Sequence, residues 1–145
     1  MVFKEDKITN LIMEEQRQWQ LLVAALDAHS GREHRHTSGQ LCSSKDVYAH
    51  LAAWLEFANQ KLLNYIRGYG IMNQETSVDE STSIWRNRDS QISLTAARQK
   101  AHQIFAERIK ILRSIPPEKW DFKLEKLVAC DGAEHYSSHR NYIHA

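Results

Sequence analysis

Apolar residues recur every three or four positions along most of this chain, which is the spacing of an amphipathic helix. The first such stretch covers residues 4–28, and Gly31 just past its end is a typical helix stop. Residues 30–41 are polar and aperiodic, so we expect a loop there. On the first helix the solvent-exposed face is expected to carry Lys4, Glu5, Lys7, Glu14, Glu15 and Arg17.

A second periodic stretch begins at Ser43 or Ser44 and ends near residue 67. Ser43, with Asp46 three residues later, resembles a capping box. The apolar stripe of this stretch is the widest in the chain, so we expect the second helix to be the most buried. Residues 68–83 then form a long polar connection.

Two further helices are predicted in the second half of the chain. Residues 92–114 form the third, which Pro116 and Pro117 stop. The fourth runs from about residue 124 to 142 and contains Gly132, where a glycine costs about 1 kcal/mol relative to alanine. Either the helix breaks at Gly132 or packing has a use for the missing side chain.

These elements predict an all-α fold, a four-helix bundle with a long connection between its second and third helices. One domain over residues 1–145 is expected from the chain length. Five glycines and two prolines are too few for the turns of a β-sandwich or barrel.

Charge and hydropathy exclude several classes of protein. Nineteen basic and 18 acidic residues give a net charge of +1, without the basic excess typical of a nucleic-acid-binding domain. The longest aliphatic run, residues 21–26, is far shorter than the roughly 20 residues of a membrane span. Residues 1–10 lack the apolar core of a signal peptide, and Cys42 and Cys130 form no C-x-x-C motif. We therefore expect a cytoplasmic protein with no nucleic-acid or membrane partner.

Three of the eight histidines occupy informative positions. His50 lies on the second helix, one turn after Val47 and one turn before Trp54, so it points toward the core stripe. His135 and His139 are four residues apart, which places both on one face of the fourth helix. Two imidazoles on one turn can bind one metal ion, and a third from a facing helix would complete a set of three.

Three neutral imidazoles suit zinc, nickel, copper or iron and leave coordination positions open, as in catalytic sites. A water bound to such a metal could have a pKa of about 7 and act as hydroxide at neutral pH. Two simpler explanations compete with this one. An H-x-x-x-H pair is common on exposed helices, and a core-facing histidine is usually satisfied by a hydrogen bond. Spacing alone does not show that residues 50 and 135 are neighbours.

Other candidate residues carry weaker signals. Glu33-x-x-His36 is spelled like a di-iron ligand pair, but it occurs once and the inward glutamates of ferritin-like bundles are missing. No serine-hydrolase or phosphate-loop motif occurs. No catalytic side chain is assigned. Four residues are candidates for the walls of a pocket, with core packing as the competing role of the first two: Trp54, Tyr136, Arg86 and Asn87.

Two longer motifs resemble a known family. Residues 44–54, SKDVYAHLAAW, resemble the second-helix motif V-K-D-V-L-A-H-L-x-x-W of the DinB-like superfamily, the DNA-damage-inducible four-helix proteins. Residues 127–140, LVACDGAEHYSSHR, resemble the last helix of that superfamily, L-I-A-x-x-x-x-E-H-Y-x-E-H. The segments 84–87 and 115–120 are similar to the ClbS/DfsB branch. The chain departs from the pattern at Cys42, where an aromatic is common, and at Ser138, where a glutamate is common.

The resemblance covers essentially the whole chain and implies an up-up-down-down bundle. It also implies a divalent transition metal, zinc, nickel or iron, held by His50, His135 and His139. Superfamily members include bacillithiol-dependent thiol transferases, a mycothiol-dependent isomerase and a cyclopropane hydrolase that protects against a genotoxin. The ClbS-like members have been described as acting without a bound metal.

Three functions remain open at this point. The first is a metal-dependent enzyme, a hydrolase or low-molecular-weight-thiol transferase acting on a small electrophile. The second is a ClbS/DfsB-like protection protein that binds or hydrolyses a reactive metabolite without metal. The third is a non-catalytic dimeric module with a vestigial triad. The expected partners are a small-molecule substrate, a low-molecular-weight thiol for a transferase, and a second copy of the chain in a homodimer.

Overall fold

The structure is a computed structural model, and it describes residues 4–29, 33–35, 41–68 and 92–143. Within these ranges helices dominate, which confirms the all-α class. The α-helices are α1 (Lys4–Ala28), α2 (Ser44–Ile66), α3 (Leu94–Ser114), α4 (Phe122–Asp131) and α5 (Ala133–Ile143), with a 3₁₀ turn at Pro117–Lys119 and two short strands, β1 (Glu33–Arg35) and β2 (Leu41–Ser43). No helix in the described ranges is long and apolar enough to cross a bilayer.

The two strands correct the expectation of a plain loop over residues 30–41. They pair antiparallel, with Glu33 opposite Ser43 and Arg35 opposite Leu41. The end of α1 and the start of α2 lie side by side, because the Ser44 hydroxyl donates to the Leu26 carbonyl at 2.8 Å. The segment that connects these two helix ends therefore has to turn back on itself, which brings the backbone groups of β1 and β2 close enough to pair. β1 also lies against α5, and β2 against α2.

Side-chain pairs along the helices give their directions. Ser44 contacts the last turn of α1, while Leu62 near the far end of α2 shares an apolar cluster with Ile12 near the start of α1. Helices α1 and α2 are therefore antiparallel. Glu56 pairs with Lys100, and Leu62 shares its cluster with Leu112, so α2 and α3 run in the same direction.

The C-terminal helices return in the opposite direction to α2. The Tyr65 hydroxyl donates to the Asp121 carboxylate at 2.8 Å, and the Trp54 indole donates to the Asp131 carbonyl at 3.1 Å. The bundle order is therefore up, down, down, up, and the up-up-down-down order implied by the family resemblance is wrong. The connection over residues 29–43 folds back through the β1–β2 pair, which makes α1 and α2 antiparallel, whereas the longer connection over residues 67–93 is long enough to allow α2 and α3 to be parallel.

Side-chain caps define where the helices begin. The predicted capping box is present: the Ser43 hydroxyl accepts from the Asp46 backbone N–H, and the Asp46 carboxylate accepts from the Ser43 N–H. Ser93 caps α3 and Asp121 caps α4 through a single bond each, in which the side-chain oxygen accepts from a backbone N–H of the first turn. Each cap satisfies a backbone donor that has no partner inside its helix.

The helices enclose two apolar clusters, one toward each end of the bundle. The cluster near the start of α2 contains Trp19, Leu22, Leu51, Leu55 and Tyr136, and the other contains Leu62, Leu112, Trp120 and Leu124. Fourteen of the 23 residues of α2 are buried, against seven of 25 in α1. The prediction that the second helix is the most buried is thus correct for this pair. The centre of α2 consequently faces helices on several sides.

The predicted fourth helix is interrupted. It begins at Phe122, α4 ends at Asp131, and α5 begins at Ala133. The residue between them, Gly132, has φ −105° and ψ −99°, which is not a helical conformation. Both explanations offered for a glycine at this position apply. The helix breaks there, and the packing described below also uses the space left by the missing side chain.

Candidate metal centre

Three histidines from two helices converge between α2 and α5. His50 comes from the first half of α2, and His135 and His139 occupy successive turns of α5. Their candidate ligand atoms all lie within 4.8 Å of one another. The spacing of His135 and His139 predicted a shared face, and the structure adds that His50 lies opposite that face.

The cluster is largely enclosed. His50 is 1% exposed and His139 is 4% exposed, whereas His135 is partly exposed. The ring centroid of His50 lies 4.9 Å from that of His139 and 5.7 Å from that of His135. The surrounding protein therefore restricts two of the rings and leaves access from solvent at the third.

The donor set fits a borderline divalent metal. The Nε2 atoms of His135 and His139 are 3.1 Å apart. Two nitrogens that each bind one zinc ion at about 2.0–2.1 Å lie roughly 2.9–3.4 Å apart for bond angles of about 90–110°. Three imidazoles without a carboxylate suit zinc, nickel or iron, whereas calcium and magnesium require oxygen ligands. The same separation also suits a hydrogen bond in which one ring donates its N–H to the other.

Trp54 packs against the histidine cluster. Its ring centroid is 4.4 Å from that of His135, with an angle of 30° between the planes, and 6.5 Å from that of His50. The indole N–H donates to the Asp131 carbonyl at 3.1 Å, and the side chain is 7% exposed. Trp54 therefore connects the histidine cluster to the end of α4.

Tyr136 is fully buried, and its hydroxyl donates to Glu15 Oε2 at 3.1 Å. Its ring packs edge-on against Trp19 with centroids 5.2 Å apart. Burial raises the pKa of Tyr136 well above the ordinary phenol value, and the Glu15 carboxylate raises it further. The hydroxyl thus stays protonated and remains a donor to Glu15. Arg86 and Asn87, the other two pocket candidates, lie outside the described residues.

A buried ion pair between α1 and α3 was not predicted from the sequence. Glu15, expected on the solvent-exposed face, is 1% exposed, and Arg108 on α3 is 1% exposed beside it. Arg108 donates to Glu15 at 2.6 Å from Nε and at 3.1 Å from a terminal nitrogen. The sequence does contain a signal for the burial of Glu15, because this residue falls between Ile12 and Trp19 in the same apolar stripe of the helix.

A second buried pair joins α2 to the end of α4. Lys61 Nζ lies 2.8 Å from Asp131 Oδ2, and both side chains are about nine-tenths buried. The Lys61 ammonium also lies 6.0 Å from the centre of the Trp54 ring. The charge of Asp131 is thus balanced where the backbone leaves α4.

His102 belongs to a separate contact, between α1 and α3. Its Nδ1 accepts from the Trp19 indole at 3.4 Å. Burial lowers the pKa of His102, and the Arg98 guanidinium lowers it further. Cys130 is exposed and lies outside the histidine cluster.

The chain matches no protein-family model, no curated protein and no solved structure. The arrangement of its own side chains therefore carries the functional argument.

Proposed function

We propose that this protein is a metal-dependent enzyme of the DinB-like class, with zinc, nickel or iron held by His50, His135 and His139. The observation that supports this proposal is the convergence of three imidazoles, within 4.8 Å, from helices that are distant in sequence. The reaction is that of a hydrolase or of a low-molecular-weight-thiol transferase acting on a small electrophile. A small-molecule substrate and a homodimer are part of the same proposal.

The protein's contribution is to hold the three rings in place. His50 and His139 are buried, and Trp54 packs against His135, so few orientations are open to the imidazoles. An ion bound there would supply a Lewis acid with open positions, able to activate water or a thiol toward an electrophile. Partial exposure of His135 gives the substrate a side from which to approach.

The test is a measurement of bound metal. Purified protein is loaded separately with zinc, nickel and ferrous iron, and bound metal is measured by elemental analysis after gel filtration. One ion per chain is expected, and replacement of any one of the three histidines by alanine should reduce it strongly. His29→Ala, at the end of α1, is the matched control and should bind as the wild type does. Absence of bound metal in the loaded wild type would refute the proposal.

One observation favours a second candidate, the metal-free protection protein of the ClbS/DfsB type. The 3.1 Å separation of the His135 and His139 Nε2 atoms is also a hydrogen-bond distance. Such a pair could bind or hydrolyse a reactive metabolite without metal. Activity that persists undiminished in a strong chelator would support this candidate, and activity that disappears and returns with added metal would exclude it.

A further inference from the structure

The break between α4 and α5 lies immediately before the histidine pair. Gly132 interrupts the helix, and His135 and His139 follow three and seven residues later on α5. At a rise of 1.5 Å per residue they lie about 4.5 Å and 10.5 Å along the helix axis from the break. A rotation of roughly 10° at Gly132 would therefore move His139 by roughly 2 Å, far more than the ~0.2 Å tolerance of metal–ligand distances.

Polar groups from α2 and α3 hold the last turn of α4 at this break. The Trp54 indole donates to the Asp131 carbonyl at 3.1 Å, and Lys61 pairs with the Asp131 carboxylate at 2.8 Å. From α3, Arg108 donates to the Val128 carbonyl at 3.3 Å. These contacts supply donors to carbonyls near a helix end, where intrahelical partners run out.

The group from α1 is Glu15, and it touches the break itself. A Cβ added to Gly132 would lie 2.5 Å from the Glu15 side-chain carbon Cδ, so the carboxylate occupies the space of the missing side chain. Arg108 binds both carboxylate oxygens, and the Tyr136 hydroxyl donates to one of them. Tyr136 lies in the first turn of α5, next to His135. Glu15 therefore accepts a hydrogen bond from the helix that carries the histidine pair.

We propose that Glu15 is a positioning residue for the metal site: its carboxylate, packed on Gly132 and bonded to Tyr136, sets the direction of α5 and so aims His135 and His139 at His50. This inference rests on the proposed function, because it concerns the geometry of the same three ligands. It assigns to a residue on α1, which contributes no ligand, a role in metal affinity.

The test compares three variants with the wild type. Glu15→Gln keeps the shape of the side chain and removes its charge, and Tyr136→Phe removes only the hydroxyl that bonds to Glu15. Glu14→Gln is the matched control, since the hydrogen bonds that the neighbouring Glu14 makes within the described residues go to Arg17 and Gln18 on its own helix. Zinc affinity is measured by competition with a chromogenic chelator, and coordination geometry by the visible absorption of the cobalt-loaded protein.

Glu15→Gln should weaken zinc binding by about 10–100-fold, as removal of supporting groups around metal ligands does elsewhere, and change the cobalt spectrum. Tyr136→Phe should shift both in the same direction by less, and Glu14→Gln should leave both unchanged. Far-UV circular dichroism identifies variants that remain folded. If Glu15→Gln does not fold, Tyr136→Phe decides alone.

Wild-type affinity and spectrum in the folded variants would overturn the positioning role while leaving the proposed function standing. A wild type that binds neither zinc nor cobalt would overturn both, so the two failures are distinguishable.

Discussion

Replacement of Gly132 by alanine should destabilise the fold through a tertiary contact. The higher helix propensity of alanine, about 1 kcal/mol in a helix interior, does not apply here, because the backbone of Gly132 (φ −105°, ψ −99°) is not helical. The new methyl group would lie 2.5 Å from the Glu15 Cδ and 2.9 Å from the Val128 carbonyl oxygen. Glu15 must therefore leave its place beside Arg108.

The magnitude follows from the burial of that pair. Both side chains are 1% exposed, so displacement of the carboxylate leaves a buried guanidinium without its counter-charge. Breaking a buried ion pair costs about 3–5 kcal/mol. Gly132→Ala should therefore lower the free energy of unfolding by about 3–5 kcal/mol.

The assay is urea unfolding followed by circular dichroism, in the wild type and in a background carrying Glu15→Ala with Arg108→Met. In that background the carboxylate is absent, so alanine at position 132 should cost much less than in the wild type, with the close Val128 carbonyl oxygen as the remaining source of destabilisation. Gly68→Ala is a second control, because the φ of +91° predicts a backbone strain cost at a position where no atom of the described residues lies within 4 Å of an added Cβ. A stabilised Gly132→Ala protein, or an equal loss in both backgrounds, would refute the reasoning.

Two further predictions concern groups away from the break. Because the folded-state pKa of His102 is lowered, the unfolded chain binds more protons there below about pH 7, and stability should fall as the pH drops toward 5. His102→Gln should make that dependence shallower in urea titrations at several pH values, and an unchanged slope would contradict it. Ser43→Ala removes the cap of α2 and should cost about 0.5–2 kcal/mol in thermal or urea unfolding, whereas Ser114→Ala, at the exposed end of α3, should have little effect.

The sequence predicted the three long helices well because their signals are local. Each of these signals depends on residues within a few positions of one another. They are the apolar periodicity, the helix stops at Gly68 and Pro116, and the cap at Ser43. The spacing of His135 and His139 fixed a shared face for the same reason. The place of His50 opposite them depends on packing between helices, and only the family resemblance suggested it in advance.

The errors arise from contacts between distant segments. Glu15 was assigned to solvent because a lone acid rarely occupies an apolar stripe, and its partner Arg108 is 93 positions away in the chain. The break at Gly132 has the same origin, since the group that fills the space of its side chain comes from α1. The bundle order implied by the family resemblance was wrong because helix direction depends on the connections between helices, and the two matching motifs lie within helices.

The contacts at Gly132 also bear on how the molecule opens. α5 has 11 residues, and an isolated helix of that length is marginal in water. It is stabilised by its contacts with the rest of the bundle: Tyr136 of α5 donates to Glu15 on α1, and Trp54 of α2 and Arg108 of α3 hold the last turn of α4, just before α5 begins. Detachment of α5 alone would break contacts to Glu15 and expose the charges that Glu15 and Arg108 neutralise in each other. The C-terminal helix should therefore open together with the whole bundle, and local fraying and global unfolding become one cooperative event.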